Sequence, residues 1–420
     1  MKRTTGRYES TAVAGEDVQA FVPHDLPVSA PSLQIEALRH RIQAAEAGLR
    51  RLDLAAEMVP SVDWFLYAFV RKEAVVSSQI EGTQATLVDL FQFESEHRDR
   101  NSDIEDICNY VDALRYAREQ LHSKKGLPLS VRLFNEIHRK LMKGVRGANK
   151  APGQVRRTQN WIGGSRPGNA AFVPPPPHRV PELLSALEKY VHIDDSLPAV
   201  ARAGVVHVQF ETIHPYLDGN GRMGRLLISL LLEHWKQLTQ PMLYLSLFFK
   251  RHQAEYYRRL DAVRRDGDWE GWLDFFLDGV ATISEEAVGA ARKLYAIVNE
   301  DRQRLLALSS VSVASLRLFE ALPKSPVVTV QSAIRTLGAT KPTAGKAIDA
   351  LVEAKILQES TGRQRGRAFN YGRYLDELRS GTDLGEVEKV QPVLRTESQG
   401  RLPRRKANTR ASSKRPRQRH

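Results

Sequence analysis

The sequence predicts a mostly α-helical protein of two or three domains, in which a helical bundle carries a β-hairpin and is followed by a small winged helix-turn-helix module. Its 420 residues, 42% of them hydrophobic and 26% charged, support a sizeable core and exclude global disorder. Apolar residues recur at steps of three and four over most of the chain, which is the period of an amphipathic helix. Strand-like stretches are few and short, so the predicted fold class is mostly α.

The N-terminal part is predicted to be a lead-in followed by helices. Residues 1–30 contain scattered prolines and no clear period, so we expect an extended lead-in. From residue 31 to residue 125, apolar residues such as Ile35, Leu38 and Ile42 follow helical spacing. This pattern predicts an N-terminal helical region.

The central region, 126–300, is predicted to be a helical core with one interruption. Gly and Pro dominate 144–179, where two short strand-like segments, 154–162 and 170–173, flank a GGSRPGN turn cluster. Such a pattern is typical of a β-hairpin or an ordered loop inside a helical domain. Four prolines, Pro174 to Pro177, would end it in a stiff polyproline conformation.

Residues 301–378 are predicted to form the winged helix-turn-helix module, because two short helices, a tight link and a β-hairpin follow one another. Several basic residues there suit a contact with DNA: Lys341, Lys346, Arg363, Arg365 and Arg367. The same module would equally suit dimerisation or docking of a target protein, so these roles stay open at this stage.

Positive charge is concentrated at the C-terminus. Residues 401–420 hold nine Arg or Lys and no acid, and removing nine from the net charge of +13 leaves +4 on the other 400 residues. Such blocks of like charge are typically disordered and attract polyanions. We therefore expect 379–420 to be a basic disordered tail, which serves either polyanion contact or solubility.

The composition also indicates the cellular setting. The single cysteine, Cys108, cannot form an internal disulfide or a thiolate zinc site, and it is more simply a small core residue. The first ten residues lead into no apolar stretch, and no apolar run approaches the ~20 residues of a membrane span. We expect a cytoplasmic protein without membrane association.

The segment from His207 to Arg225, HVQFETIHPYLDGNGRMGR, is where the chemistry is concentrated. Pro215 excludes His214 from helical geometry, so a helix that ends near Ile213 would present the imidazole at its tip. His207 would lie on a similar face of that helix, where packing explains it better than metal ligation.

The turn that follows is suited to an anion. Asp218 to Gly221, DGNG, contains residues that accept positive φ, and the apolar helix after it places their amides at a helix N-terminus. Arg222 and Arg225 are three residues apart and share a helix face. A base, a carboxylate, a nest of amides and two guanidinium groups are what phosphoryl or nucleotidyl transfer requires. Taken singly, these features are also common in turns and on solvated surfaces.

A dinucleotide-binding fingerprint is the competing interpretation. Gly219, Gly221 and Gly224 match G-x-G-x-x-G. That fold needs the glycine turn directly after a strand, alternating β and α elements, and an acidic residue about 20 positions downstream. Here ETIHPYL intervenes, no βαβ alternation follows, and Glu233 is too close, so this alternative is disfavoured.

The stretch from His214 to Arg225, HPYLDGNGRMGR, resembles the signature of the Fic family of protein adenylyltransferases, HPFx(D/E)GNGRxxR. Tyr216 in place of Phe departs from that signature but keeps an aromatic ring. The resemblance covers about residues 30–300 and implies a Fic-type helical bundle. It also implies an enzyme that transfers AMP from MgATP to a Ser, Thr or Tyr hydroxyl of a target protein.

The resemblance further implies roles for the residues of the motif. His214 would be the general base, and Asp218 would hold Mg²⁺. The other residues would bind the nucleotide, three as a phosphate cradle and two as counter-charges to the β- and γ-phosphates: Gly219, Asn220, Gly221, Arg222 and Arg225.

The predicted hairpin resembles the flap of this family, which in relatives pairs with the target segment by adding a strand. Its matching residues are Arg156, Gln159, Trp161, Ile162 and Gly163. A purely structural hairpin is the alternative.

Residues Ser77 to Gly82, SSQIEG, resemble the inhibitory pattern (S/T)xxxE(G/N) of Fic proteins. Ser77 and Glu81 are four residues apart and share a helix face, and Gly82 would let the helix end. The resemblance implies that Glu81 pairs bidentately with Arg225, so that ATP binds unproductively. It indicates the subclass in which the inhibitory helix precedes the Fic domain.

The sequence therefore predicts an auto-inhibited protein adenylyltransferase that uses ATP and Mg²⁺ and modifies a target protein and itself. Two alternatives remain: a DNA-binding regulator with a Fic-like core as nucleotide sensor, and an enzyme that removes AMP or transfers another phosphate-linked group. An intact His214 argues against a pure sensor, which has no use for a base. The target and the formation of a homodimer stay open.

Overall fold

A computed structural model describes residues 3–28, 31–58, 62–96, 101–144, 149–362 and 366–384. Helices dominate these residues, which confirms the mostly α fold class. The helices are α1 (Arg39–Met58), α2 (Val62–Ile80), α3 (Leu87–Glu96), α4 (Ser102–His122), α5 (Val131–Leu141), α6 (Val180–His192), α7 (Ala199–Ile213), α8 (Asn220–His234), α9 (Ser246–Arg251), α10 (Gln253–Asp266), α11 (Trp269–Leu306), α12 (Val313–Ala321), α13 (Val330–Leu337), α14 (Lys341–Glu353) and α15 (Gly372–Arg379). The strands are β1 (Gly6–Val13), β2 (Glu16–Pro23), β3 (Val327–Thr329), β4 (Gln358–Glu359) and β5 (Ala368–Asn370).

The N-terminal segment is a β-hairpin and not the predicted extended lead-in. β1 and β2 pair antiparallel from Gly6 opposite Pro23 to Val13 opposite Glu16. The two residues between the strands, Ala14 and Gly15, both have positive φ, which is the backbone of a tight hairpin turn. The spacing of apolar residues in this segment does not follow a helical period, so it did not reveal the two strands.

The core is built around α7 and α8, which precede and follow the HPYLDG turn. Every residue of α7 from Val200 to Ile213 is buried, and α8 is buried over most of its length. The long helix α11 packs along α1 and α7, and Gly204 lets the ring of Phe276 lie directly on α7. The turn between α7 and α8 is therefore anchored at both ends in a continuous hydrophobic core.

Of the two predicted possibilities for the Gly/Pro-rich segment, a β-hairpin or an ordered loop, the structure shows an ordered loop with a single antiparallel bridge. Ile162 and Phe172 form an isolated antiparallel bridge, and the described part of 144–179 contains no extended strand ladder. Pro174 to Pro177 have no N–H groups to donate, so the bridge cannot extend past them.

The C-terminal module follows the predicted order of elements. α12 precedes β3, α13 and α14 follow it, and the strands form a three-stranded antiparallel sheet in the order β3-β5-β4. The winged-helix assignment and its contact with DNA stay predictions. Arg363, Arg365 and residues 385–420 of the predicted tail, 379–420, lie outside the described residues. The first residues of that tail are not disordered as predicted, since α15 ends at Arg379 and Thr382 is buried.

The predicted boundary between 300 and 301 falls inside α11, because this helix continues without a break to Leu306. Its buried Asp301 accepts a hydrogen bond of 2.9 Å from Arg373 of α15. The C-terminal module therefore packs on the same long helix as the core. Among the described residues, no helix has both the length and the apolar character required to cross a bilayer.

Candidate active site

His214 lies at the end of α7 in a left-handed backbone conformation, with φ of 49°. The following Pro215 disfavours a helical backbone at His214, as the sequence predicted. The side chain is half-buried, and its Nδ1 has no hydrogen-bond partner among the described residues. Desolvation, reinforced by the positive charge of Arg156, lowers the pKa of His214 to about 4. The imidazole is therefore neutral at neutral pH and able to accept a proton.

The side chain of Asn220 braces the turn rather than facing a ligand. Its Oδ1 accepts a hydrogen bond from the backbone N–H of Tyr216 at 2.9 Å, and its Nδ2 donates to the carbonyl of Tyr216 at 2.8 Å. Asn220 is also almost completely buried. Both its polar atoms hold the turn closed, and its predicted role at the phosphates stays a prediction.

Arg156 is likewise an internal clamp and not part of an exposed docking surface. Its guanidinium donates to the carbonyl oxygens of His214 at 2.9 Å and of Pro175 at 2.5 Å. The side chain is buried, and desolvation lowers the pKa of Arg156 to about 10. This arginine joins the loop to the backbone of the proposed base, and its predicted role in target docking stays a prediction.

A carboxylate occupies the N-terminus of α8. Gly219 has a φ of 78°, which turns the chain into the helix, and a Cβ on Gly221 would lie 2.2 Å from Oε1 of Glu81. Only a glycine permits this approach. The start of a helix attracts anions through its unpaired amides and its dipole, and Glu81 supplies the anion here.

Asp218 lies at the mouth of this turn, half-buried, with Oδ1 accepting a hydrogen bond of 2.6 Å from the amide of Gly219. Its carbonyl oxygen is 2.9 Å from Nε2 of His138, whose ring stacks on Tyr216 at 3.8 Å between centroids. His138 was missed at the level of sequence because it lies 80 residues away. A single carboxylate suits Mg²⁺ when phosphates supply other ligands. Within the described ranges no cluster of three or more His, Cys, Asp or Glu side chains could hold a metal ion.

Arg222 is paired with a carboxylate that the sequence did not reveal. Its Nη1 donates to Oδ1 of Asp106 on α4 at 2.8 Å. The two side chains are 6% and 8% exposed, so this ion pair is buried. The charge of Arg222 is thus matched by Asp106, and its predicted role at the phosphates stays a prediction.

Arg225 is held by the predicted inhibitory segment. Its Nε donates to Oγ of Ser77 at 2.9 Å, and its Nη2 donates to the carbonyl of Ser77 at 2.9 Å and to Oε1 of Glu81 at 2.7 Å. The pairing with Glu81 uses one nitrogen, so the bidentate geometry was wrong. Arg225 also donates to Ser77, whose carbonyl oxygen is available because α2 ends at Ile80. Gly82 then turns the chain away from the helix with a φ of 93°.

The electrostatics of this pair favour its charged form. Burial works against the ionised carboxyl, but the charge of Arg225 outweighs it, and the pKa of Glu81 is lowered. Burial also opposes the charge on Arg225, yet the carboxylate raises the pKa of that arginine. The carboxylate of Glu81 is 39% exposed although its partner is 2% exposed. It is therefore reachable from solvent.

A second carboxyl, Glu211, lies one turn before His214 and was missed by the sequence analysis. It is 8% exposed, and its Oε1 has no hydrogen-bond partner among the described residues. A Cβ on Gly224 would lie 2.3 Å from that oxygen, so the carboxyl is pressed against α8. Desolvation raises the pKa of Glu211 to about 7 despite the nearby charge of Arg225.

The loop that resembles a flap presents one edge to solvent. Trp161 is 36% exposed, Gly163 has a φ of 67°, and Ile162 bridges to Phe172. Gln159 is partly buried and donates to the carbonyl of Pro174 at 2.8 Å, so it supports the loop from within.

The N-terminal hairpin supports the same loop. The amide of Phe21 in β2 donates to the carbonyl of Val173 at 2.9 Å, and Arg166 pairs with Glu16 at 2.6 Å. Asn160 joins the loop to the catalytic turn by donating to the carbonyl of Tyr216 at 3.0 Å. Loop, hairpin and turn therefore form one connected unit.

His207 and Cys108 lie outside the site, and the sequence predicts that both are packing residues. His207 is fully buried among aromatic rings, and its nitrogens lie 3.1 Å from the carbonyl of Gly224 and 2.8 Å from the hydroxyl of Tyr256. Cys108 is partly buried against the core. Both fit the packing interpretation.

The fold defined by these helices is that of Fic proteins. A crystal structure of a Fic family protein from Desulfovibrio desulfuricans G20 superposes with a TM-score of 0.54 at 19% identity, covering 81% of this chain and 98% of that chain. Residues 39–119 match the Fic/DOC family N-terminal domain, and residues 128–232 match the Fic/DOC family domain. These two ranges therefore carry the Fic/DOC N-terminal and Fic/DOC domains, and the resemblance predicted from the sequence is confirmed.

Curated relatives match part of the chain. A probable protein adenylyltransferase of Aquifex aeolicus is 29% identical over 174 residues, which are 40% of this chain and 49% of that protein. The protein adenylyltransferase Fic of Culex quinquefasciatus is 30% identical over 168 residues, 40% of this chain and 30% of that protein. The matched region therefore spans half or less of these relatives.

Proposed function

We propose that this chain is an auto-inhibited protein adenylyltransferase, which transfers AMP from ATP to a hydroxyl group of a target protein. One observation carries the proposal: a carboxylate, Glu81, stands at the N-terminus of α8 and pairs with Arg225, beside the half-buried imidazole of His214, which is neutral at neutral pH. The site is therefore an anion site next to a base, and the names of the curated relatives supply the reaction class.

In the proposed reaction, His214 takes the proton of the target hydroxyl. The hydroxyl oxygen then bonds to the α-phosphorus of ATP, the bond from that phosphorus to the bridging oxygen breaks, and pyrophosphate leaves. The lowered pKa of His214, about 4, keeps the ring neutral and able to act as the base at neutral pH. The amides at the start of α8 and Arg225 would stabilise the charge on the phosphates.

Asp218 would hold Mg²⁺, which when bound would neutralise phosphate charge. The fit rests on the hard oxygen ligand at the mouth of the turn, and on the Glu81 carboxylate as a stand-in for an anion at the adjacent amides. The exposed ring of Tyr257 is electrostatically coupled to Glu81 and Arg225, and an aromatic face beside a phosphate site suits stacking of a nucleobase.

Inhibition is part of the proposal. While Glu81 holds Arg225, that guanidinium is not available to the terminal phosphate, and the carboxylate repels an anion from the same place. The edge at Trp161 would receive the extended target segment, since the bridge at Ile162 leaves the next strand position open.

The test is intact-mass spectrometry of the Glu81→Gly chain incubated with ATP and Mg²⁺, with the Glu81→Gly/His214→Ala double variant as its control. We expect one or more AMP adducts on the first protein and a loss of about 10²-fold or more in rate for the second. Both variants should bind nucleotide equally. Equal adduct formation by the two proteins would remove His214 as base. No adduct with either self or lysate proteins would favour the nucleotide-sensing regulator.

A further inference from the structure

After α15 the chain returns to the inhibitory helix. We call residues 380–384 the C-terminal strap. The side chain of Gln79, on the last turn of α2, donates from Nε2 to the carbonyl of Thr382 in this strap at 3.0 Å. Gln79 is 7% exposed and Thr382 is 1% exposed, so the contact is buried. It joins positions 303 residues apart in the sequence.

The polar atoms of Gln79 are shared between three segments. Nε2 also donates to the carbonyl of Ala85 at 3.0 Å, and Oε1 accepts from Nζ of Lys250 at 2.7 Å. Lys250 donates in addition to the carbonyl of Asp383 in the strap at 2.9 Å. The strap, α9 and the end of α2 are therefore closed into one hydrogen-bonded ring.

The strap packs closely against α9. Gly381 has a φ of 79°, and a Cβ there would lie 3.1 Å from Leu247 and 3.0 Å from Nη2 of Arg251, both in α9. Helix α9 also contacts α2 further from its end, where the amide of Ser246 donates to the buried carboxyl of Glu73 at 3.1 Å. Gln79 lies two residues from both Ser77 and Glu81 and so points to a different face of α2, which means that the strap holds the last turn from the side away from Arg225.

We propose that the C-terminal strap regulates the enzyme by fixing the last turn of α2, and so sets how often Glu81 leaves Arg225. The inference rests on the proposed function and names the regulation of the same site. Gln79 lies two residues before Glu81, which itself stands beyond the end of the helix. Loss of the strap removes one acceptor from Gln79 and one from Lys250 and uncovers the last turn of α2, and a helix end with fewer contacts opens more readily.

The C-terminal module would then be the input to the switch. It is joined to the strap through α15, and any partner that draws residues 380–384 away from Gln79 raises activity without touching the nucleotide site. The strap contacts α2 in the arrangement in which Glu81 binds Arg225, so release of the strap should raise the activity and not lower it.

The first test uses the full-length chain with Gln79→Met, which keeps the length and helix propensity of the side chain but removes its hydrogen bonds. We expect auto-labelling with α-labelled ATP to rise about fivefold or more relative to the unmodified chain. Gln237→Met, which removes an amide far from the strap, is the matched control and should leave the rate unchanged.

The second test compares chains that end after Arg379 and after Leu384. The shorter chain lacks the strap and should label itself faster, whereas the longer chain keeps the strap and should behave as the full-length protein. In the Glu81→Gly background neither the truncation nor Gln79→Met should raise the rate further, since no carboxylate is left to hold Arg225.

The outcomes separate the two proposals. Failure of Glu81→Gly itself to label would overturn the proposed function. If Glu81→Gly labels strongly while Gln79→Met and a folded chain ending at Arg379 both match the unmodified rate, the strap has no regulatory role. Should the chain ending at Arg379 prove unfolded, Gln79→Met decides alone.

Discussion

Arg222 and Arg225 lie one helical turn apart on α8, and each is paired with a carboxylate from a different helix. Asp106 lies inside α4 and is 8% exposed, with Arg222 at 6%. Glu81 stands just past the end of α2 and is 39% exposed, although Arg225 is 2% exposed. A carboxylate inside a helix and out of water cannot leave, whereas one at a helix end and open to solvent can. The first pair is therefore a structural lock and the second a releasable latch.

Breaking the buried pair of Asp106 and Arg222 should lower the free energy of unfolding more than breaking the pair of Glu81 and Arg225. Asp106→Ala leaves the buried charge of Arg222 unpaired, and removing one partner of a buried ion pair costs about 3–5 kcal/mol of unfolding free energy. Glu81→Ala should cost clearly less, because the removed carboxylate is 39% exposed and Arg225 keeps its two hydrogen bonds to Ser77. Urea unfolding of the three proteins measures both values.

Asp112→Ala is the matched control for this comparison. Asp112 also lies on α4 and pairs with an arginine, Arg115, but the two side chains are 49% and 70% exposed. Its loss should change the free energy of unfolding by under about 0.5 kcal/mol. Comparable losses for Asp106→Ala and Glu81→Ala would remove the distinction between lock and latch.

The pH dependence should reveal the base once the latch is open. Since the pKa of His214 is lowered to about 4, kcat/KM of the Glu81→Gly chain should fall only below about pH 5, as the imidazole takes up a proton. An ordinary histidine would lose activity near pH 6.5. The measurement is a pH–rate profile from about pH 4 to about pH 8.

Glu211 should add a smaller feature to the same profile. The pKa of this carboxyl is raised to about 7, so it loses its proton within the working range, and the new charge faces Arg225. We expect an inflection near pH 7 that Glu211→Gln abolishes while the acid limb persists. An inflection that survives this substitution would have to come from another group.

The latch itself should be insensitive to pH in this range. The pKa of Glu81 is lowered, so the pair contributes stability above the ordinary carboxyl pKa and loses it as the pH falls through the lowered value. Glu81 itself should therefore add no pH dependence to the inhibition above about pH 5.

How much the sequence predicts depends on how local each feature is. The kink at His214, the left-handed Gly219 and the end of α2 near Gly82 depend on neighbouring residues, and they were predicted. Glu81 with Arg225 was predicted because the motif of a known family supplied a pairing across 144 residues, although its geometry was wrong.

Contacts that join distant segments without a motif were not predicted. Asp106 and His138 look like ordinary helix residues in the sequence, and only the packing of α4 and α5 against α8 brings them to the site. Asn220 and Arg156 were assigned to ligands because polar side chains in a motif suggest binding. The structure uses both to satisfy backbone groups of the turn, which is a demand that residue type alone does not reveal.

The central claim is that Glu81 blocks an otherwise competent site by holding Arg225. The most direct measurement is the initial rate of AMP incorporation from α-labelled ATP for the unmodified chain, Glu81→Gln and Glu81→Gly at equal protein concentration. The account predicts that the rate rises about tenfold or more from the unmodified chain to Glu81→Gly, with Glu81→Gln between them because it keeps the shape but loses the charge. Three equal rates, or a slower Glu81→Gly chain, would contradict it.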